Sequence, residues 1–219
     1  MKDNQTAAFF SQYSNGFNAI YNTGTGFFQR LINKWFRQTM FIRFQKTMDS
    51  CFPTEGKKVL DVGCGPGLYC IALAKKGIEL AHGIDFAPGM IAIAKNQARA
   101  AGVDRLCSFE KADFTKLSED TKYNYVVVMG FMDYMSNPKV IIEKAMRLAT
   151  DKVLFSFPSD AGFLAWQRKI RYKFKCPLFL YNLKQLNSLF TAIDPWTCKI
   201  ESIGRDFFVT LERKNSFVS

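Results

Sequence analysis

The sequence predicts an α/β domain built on a doubly wound, mostly parallel sheet with helices on both faces. Three observations predict it. From residue 57 onward, short apolar runs alternate with segments of helical periodicity. The runs VLDV, YVVV and VLFSF are nearly continuous in apolar residues, as in strands buried on both faces. The first two helical segments each end on a glycine, Gly77 and Gly102, where a left-handed residue closes a helix. Strand–helix alternation of this kind marks parallel crossover units.

The elements follow in order. Residues 5–22 carry Phe9, Phe10, Tyr13, Phe17 and Tyr21 near helical spacing. Past the TGTG break, residues 26–51 set Phe27, Leu31, Trp35, Phe41, Phe44 and Met48 mostly three or four apart, with Arg30, Lys34, Arg37, Arg43 and Lys46 between them. This pattern predicts an amphipathic helix, with room for one break, that Pro53 stops. KKVLDV is the first strand and LYCIALAKKG a helix; ELAHGID is the second strand and PGMIAIAKNQARAAG the next helix. RLCSFEKAD and YNYVVVMG are the third and fourth strands, PKVIIEKAMRLAT a helix and KVLFSFP the fifth strand. Residues 160–181 are basic and aromatic without a clean period. Asn182 opens a helix, with Gln185 at capping-box spacing. Residues 197–213 alternate loosely across a break at Gly204-Arg205-Asp206, which predicts a closing antiparallel hairpin at the sheet edge.

The 219 residues fit one structural domain, divided as a helical lid over 1–56 and a ligand-binding domain over 57–219 with an insertion at 158–181. At 48% hydrophobic and 22% charged the chain is neither disordered nor fibrous. No apolar run approaches the ~18 residues of a membrane span, and MKDNQTAAFF lacks the features of a secretory leader. Six scattered cysteines without a CxxC pair predict reduced thiols in a cytoplasmic protein. The net charge of +11 is uneven: 8 basic residues face 3 acidic in 1–58, 12 face 11 in 59–157, and 10 face 5 in 158–219. The basic flanks are either a solvated surface or a face for an anionic partner, whether acidic substrate, nucleic acid or membrane surface.

The central signal is Val59-Leu60-Asp61-Val62-Gly63-Cys64-Gly65-Pro66-Gly67, a strand running into three glycines before a helix. Glycines let backbone approach a ligand, and the helix start offers free N–H groups. A dinucleotide loop needs its third glycine at position 68, which is Leu68, and leaves Asp61 unexplained. An acid before the glycines suits a ligand bearing an ammonium group, which points to S-adenosylmethionine. Asp85 ends the second strand, where a carboxylate can take both ribose hydroxyls. Asp113 follows the third strand, placed for an adenine amino group. Phe86 and Met90 can sandwich the ring.

These stretches, VLDVGCGPG, GIDFAPGMIAIAK, KADF and YNYVVVMGFMDYM, resemble the motifs of the class I S-adenosylmethionine-dependent methyltransferases in order and approximate spacing. The resemblance covers residues 57–157 and implies a Rossmann-like seven-stranded sheet with a C-terminal antiparallel hairpin. It implies that Asp61, Gly63, Gly65 and Gly67 meet the methionine part of the cofactor. Asp85 then binds the ribose, Phe86 and Met90 the adenine face, Asp113 and the Phe114 backbone the adenine edge, and Gly130 lies under the sulfonium. A second resemblance, of Tyr13-Ser14-Asn15-Gly16-Phe17-Asn18-Ala19-Ile20-Tyr21 to the lid of small-molecule methyltransferases such as the magnesium-protoporphyrin O-methyltransferases, makes Tyr13 and Tyr21 lid residues over the cofactor. Those enzymes carry a histidine-tyrosine pair where this chain has Asp133-Tyr134, which counts against porphyrin carboxylate methylation.

Asp133 and Tyr21 are the candidate catalytic residues, Asp133 as base or acceptor-orienting group. Tyr134, Arg168, Arg171, Tyr172 and Tyr181 are the candidate acceptor contacts. The lone histidine, His82, reads as a satisfied core residue within a strand. Nothing has metal-ligand spacing, and GFMDY lacks the prolines of a nucleic-acid base methyltransferase. The expected acceptor is therefore a small anionic or aromatic molecule methylated on oxygen or nitrogen, without nucleic acid as partner. Methylation of RNA or protein by way of the basic flanks, peripheral membrane contact, and a cofactor-binding protein without turnover remain open alternatives.

Overall fold

A computed structural model describes residues 27–161 and 178–214, with side chains from residue 38 onward in the first stretch. Helix α1 (Phe27–Ser50) is followed by β1 (Lys58–Val62), α2 (Leu68–Lys75), β2 (Leu80–Asp85), α3 (Pro88–Ala100) and β3 (Cys107–Lys111). Then come β4 (Tyr123–Val128), α4 (Pro138–Leu148), β5 (Ala149–Pro158), α5 (Leu183–Leu189), β6 (Trp196–Ile203) and β7 (Asp206–Arg213). Single turns of 3₁₀ helix follow β3 (Phe114–Lys116) and β4 (Met132–Tyr134).

All seven strands share one sheet in the order β3-β2-β1-β4-β5-β7-β6. The first five pair in parallel, and β7 enters antiparallel between β5 and β6. The chain winds outward from β1 to β3, then returns to β4 on the other side of β1. That reversal opens a crevice at the carboxyl ends of β1 and β4, where ligands of such sheets bind.

Successive strand residues feed opposite cores, because side chains alternate across a pleated sheet. Leu60, Val126, Val128, Phe155 and Phe157 join Ile141 of α4 and Leu186 of α5 on one face. Val59, Tyr125, Val127, Leu154 and Phe208 join Met48 and Cys51 at the end of α1, Leu73 of α2 and Ala94 of α3 on the other. Both expected glycine stops form: Ile78 N donates to Leu73 O (3.2 Å) past Gly77, and Val103 N to Ala98 O (3.0 Å) past Gly102. The Asn182–Gln185 capping box is present in both directions. His82 is satisfied as expected, with Nδ1 2.6 Å from the Tyr123 hydroxyl and Nε2 3.4 Å from Glu110.

Three details differ from the sequence reading. Helix α1 runs unbroken for 24 residues. The hairpin turn is Gly204-Arg205 alone, because Asp206 already pairs with Ile203 and with Pro158 of β5. On α1 the apolar stripe is partly inverted: Phe41 is 62% exposed while the Arg43 side chain is only 14% exposed. The two lie about 200° apart around a helix of 3.6 residues per turn. The buried side faces the β6–β7 hairpin, whose carboxylates reward a cation more than a ring: Lys46 bonds Glu201 at 2.9 Å and Arg43 lies 3.7 Å from Asp206. The basic segment 162–177, like residues 1–26, lies outside the described residues. Among the described residues no helix is long and apolar enough to cross a membrane.

Candidate cofactor and acceptor site

β1 delivers the glycine loop to the crevice, and the loop is held by the neighbouring strand. Gly63 N and Cys64 N both donate to Ile84 O at 2.9 Å, and Gly67 N closes onto Cys64 O at 2.9 Å. Gly65, at φ 51°, has nothing within 4 Å of the position a Cβ would take. Its backbone therefore lines open space. The other two glycines are bare for packing reasons: a Cβ on Gly63 would stand 2.9 Å from Phe131, and one on Gly67 2.8 Å from Phe109 and 3.0 Å from Ala94.

Two carboxylates back this loop. Asp85 takes N–H bonds from Gly65 (2.9 Å, Oδ2) and Ala87 (2.8 Å, Oδ1), so it ties the loop to the end of β2. Burial raises its pKa, and the backbone donors pull it partly back. Asp61 is 2% exposed, and among the described residues its Oδ2 accepts only the weak Cys70 thiol at 3.7 Å. Among the described residues no lysine or arginine forms an ion pair with Asp61. Burial first, with the Asp85 charge adding to it, pushes its pKa up to about 7. A buried carboxylate short of cations beside open backbone fits the ammonium end of S-adenosylmethionine.

This arrangement makes cofactor affinity depend on pH. In the free protein Asp61 ionises near pH 7, whereas beside an ammonium group it is ionised well below that. Affinity for S-adenosylhomocysteine rises about tenfold or more from pH 5.5 to 7.5 by linkage. Asp61→Asn abolishes that rise in a calorimetric titration. For the free protein the sign is opposite. A raised carboxyl pKa stabilises the fold below its ordinary value of 3.8, and that contribution is lost as pH climbs through about 7.

At the ends of β2 and β3, where the sequence reading puts the adenine, the side chains are largely engaged. Asp113 Oδ1 accepts from both Thr115 N (2.9 Å) and Thr115 Oγ1 (2.7 Å), capping the turn after β3. Phe114 is 2% exposed and packs edge-on to Phe131, and its carbonyl accepts Leu117 N at 3.3 Å. Phe86 is half-buried; Met90 is buried in the first turn of α3 yet belongs to neither core cluster.

At the end of β4 the Gly130 N–H, at φ 70°, donates to Ser156 Oγ at 2.8 Å. Asp133 is 5% exposed in the following turn, with its carbonyl accepting Phe179 N at 2.9 Å. Tyr134 is half-buried beside it. Tyr181 is buried edge-on to Phe157 (ring centroids 5.0 Å apart), and burial with the nearby Asp133 charge pushes its hydroxyl up to about 12. Tyr13, Tyr21, Arg168, Arg171 and Tyr172 lie outside the described residues. Sequence reasoning missed Arg43, whose Nη1 reaches Ser156 Oγ at 3.3 Å from within α1. No spacing signal marks it, since it falls among the basic residues set between the apolar positions of the helix.

A family model described as a methyltransferase domain matches residues 53–173, more than half of the chain. Among curated proteins, a ubiquinone biosynthesis O-methyltransferase of Paracidovorax citrulli is 29% identical over 103 residues, 46% of this chain and 42% of that protein. One of Pasteurella multocida is 28% identical over 121 residues, 51% and 50% of the two chains. The chain thus spans about half the length of the curated relatives it matches. In fold it is similar to the magnesium protoporphyrin IX methyltransferase of Synechocystis PCC 6803 crystallised with S-adenosylhomocysteine, at 19% identity and a TM-score of 0.73 over 95% of this chain and 98% of that one. The glycine crevice, the parallel sheet with its reversed last strand and the family match agree: the chain belongs to the methyltransferase domain family.

Proposed function

We propose that the protein methylates an oxygen of a small aromatic or anionic molecule, with nitrogen as the less favoured acceptor atom. The observation that carries this reading is the pair of buried carboxylates, Asp61 and Asp133, at the ends of the two strands that flank the crevice. One is short of a cation and the other stands where the acceptor enters. The bound cofactor supplies a methyl group on a positively charged sulfur. The chain's own residues then have three tasks. Asp61 and the Gly65 backbone fix the amino-acid end and Asp85 the ribose. Gly130 admits the methyl-bearing end closely because it has no side chain. Asp133 orients a hydroxyl acceptor and takes up the proton it gives off, the step at which a positioned base matters. Tyr134 and Tyr181 wall the acceptor side, and segments 1–56 and 158–181 supply a lid and further contacts, including Tyr13, Tyr21, Arg168, Arg171 and Tyr172.

The names of the curated relatives support oxygen as the acceptor atom. The absence of histidine after β4 separates this chain from a porphyrin-type site. The cytoplasm suits the free thiols Cys51, Cys64 and Cys70.

The test is incubation of the protein with isotopically labelled methyl donor and a fractionated extract of its own host, followed by mass identification of the labelled product. A labelled small molecule is expected; label confined to RNA or protein would overturn the acceptor class. On the identified acceptor, Asp133→Asn keeps S-adenosylhomocysteine affinity within about twofold and lowers turnover about a hundredfold. Unchanged turnover would remove the base role from Asp133.

A further inference from the structure

The buried stripe of α4 contains a lysine. Lys144 is 6% exposed among Ile141, Ile142, Ala145 and Leu148. Lysines are rarely buried, because an ammonium group taken out of water needs hydrogen bonds in its place. Lys144 Nζ finds two backbone carbonyls, Thr115 O at 3.0 Å and Leu117 O at 2.6 Å, and stands 5.8 Å from the centre of the Phe114 ring. Glu119 lies at 4.0 Å, and its carboxylate is held more closely by Arg147 Nε and Nη2, at 2.9 and 3.0 Å. The carbonyls are thus the closer partners of this ammonium group, and both belong to one short stretch after β3.

That stretch is the 3₁₀ turn Phe114–Lys116, which the sequence reading sets against the adenine edge. A single 3₁₀ turn is weak by itself and needs outside support. Here Thr115 is gripped on both sides. Its N–H and hydroxyl are taken by Asp113 Oδ1 at 2.9 and 2.7 Å, and its carbonyl by Lys144. A chain of direct contacts therefore runs from α4 through Thr115 to the Asp113 carboxylate, across 29 positions of sequence between Thr115 and Lys144. Arg147, three residues further along the same helix, fastens Glu119 and so holds the other end of the segment.

Resting on that reading of the adenine edge, we propose that Lys144 is a positioning residue for base recognition. By holding the Thr115 and Leu117 carbonyls it fixes the Asp113 carboxylate where the adenine amino group arrives. The preference of the site for an amino group over an oxygen at that edge then depends on a helix that does not itself touch the base.

The test compares S-adenosylhomocysteine with S-inosylhomocysteine, which share their amino-acid and ribose parts and differ at that edge of the base. Dissociation constants for both are measured by calorimetry, and each protein is also melted. A donor facing a carboxylate is worth about ten- to a hundredfold, and the native protein is expected to prefer the amino ligand by that factor. In Lys144→Met the preference falls to about threefold or less, chiefly because S-adenosylhomocysteine binds more weakly. Lys144→Arg, which keeps the charge and donors for both carbonyls, recovers most of it. A lysine that served the fold alone would lower the melting temperature and leave the ratio of the two constants unchanged. Should Lys144→Met not fold, Lys144→Gln carries the same test: its amide is one bond shorter, reaches one carbonyl at most, and lowers the preference severalfold. An unchanged ratio in either variant overturns the proposal. A native protein that binds both ligands equally well overturns the reading of the adenine edge together with it.

Discussion

Asp85→Ala is expected to lower affinity for S-adenosylhomocysteine about a thousandfold. The Asp85 carboxylate accepts from Gly65 N and Ala87 N at 2.9 and 2.8 Å, and so fixes the open part of the glycine loop against β2. Hydrogen bonds to a charged acceptor contribute about 1.5–3 kcal/mol each, and two orphaned N–H groups at the crevice cost a comparable amount. These losses overlap, and part of them falls on the free loop and leaves affinity unchanged; with the ribose contact proposed for Asp85, about 4 kcal/mol remains in binding, the thousandfold just stated. Asp85→Asn separates shape from charge. Its amide offers one oxygen and one NH₂ group, so one backbone donor meets a donor, and affinity recovers only in part. Calorimetry for binding and a thermal melt for the loop's own contribution check both variants. Full affinity in Asp85→Ala would remove Asp85 from the site.

Gly67→Ala acts on the fold. Gly67 sits at φ 80°, ψ 21° as the residue that starts α2, and its missing side chain leaves room for Phe109 at 2.8 Å and Ala94 at 3.0 Å. Left-handed backbone costs an L-residue about 1–2 kcal/mol, and an added methyl in a filled core about 1–3 kcal/mol. A loss of about 3 kcal/mol lowers Tm by about 10 °C in a chain of this size. Phe109→Leu in the same background relieves the collision and leaves the backbone cost, so it restores about half. If Gly67→Ala instead melts normally and loses the cofactor, the glycine serves the ligand and not the packing.

Much of this was legible in the sequence because the determinants are local. Gly77 and Gly102 mark helix ends wherever they occur, and Asn182 with Gln185 specifies a cap within four residues. The order of strands around Asp61, Asp85 and Asp113 follows from crossover geometry once the glycine loop is placed. The role of each glycine was not legible, because a ligand and a neighbouring ring ask for the same missing Cβ. Only the position of Phe109, from a strand two removed from the loop, assigns Gly67 to packing. Arg43 and Phe41 were misread for a similar reason. The helical period shows that they differ in face, but not which face meets a hairpin carrying Asp206 and Glu201.

The sites at which α1 is docked carry a consequence for biosynthesis. Its polar anchors, Asp206 and Glu201, come from the β6–β7 hairpin, which follows the other described elements of the sheet, and the Lys46–Glu201 bond spans 155 positions of sequence. A nascent chain can assemble β1 to β5 early and seat the end of α1 on Leu73 and Leu154, but the polar anchors of α1 arrive only with the hairpin. Truncation before β7 therefore takes Asp206 from α1 and the antiparallel partner from β5 in one step.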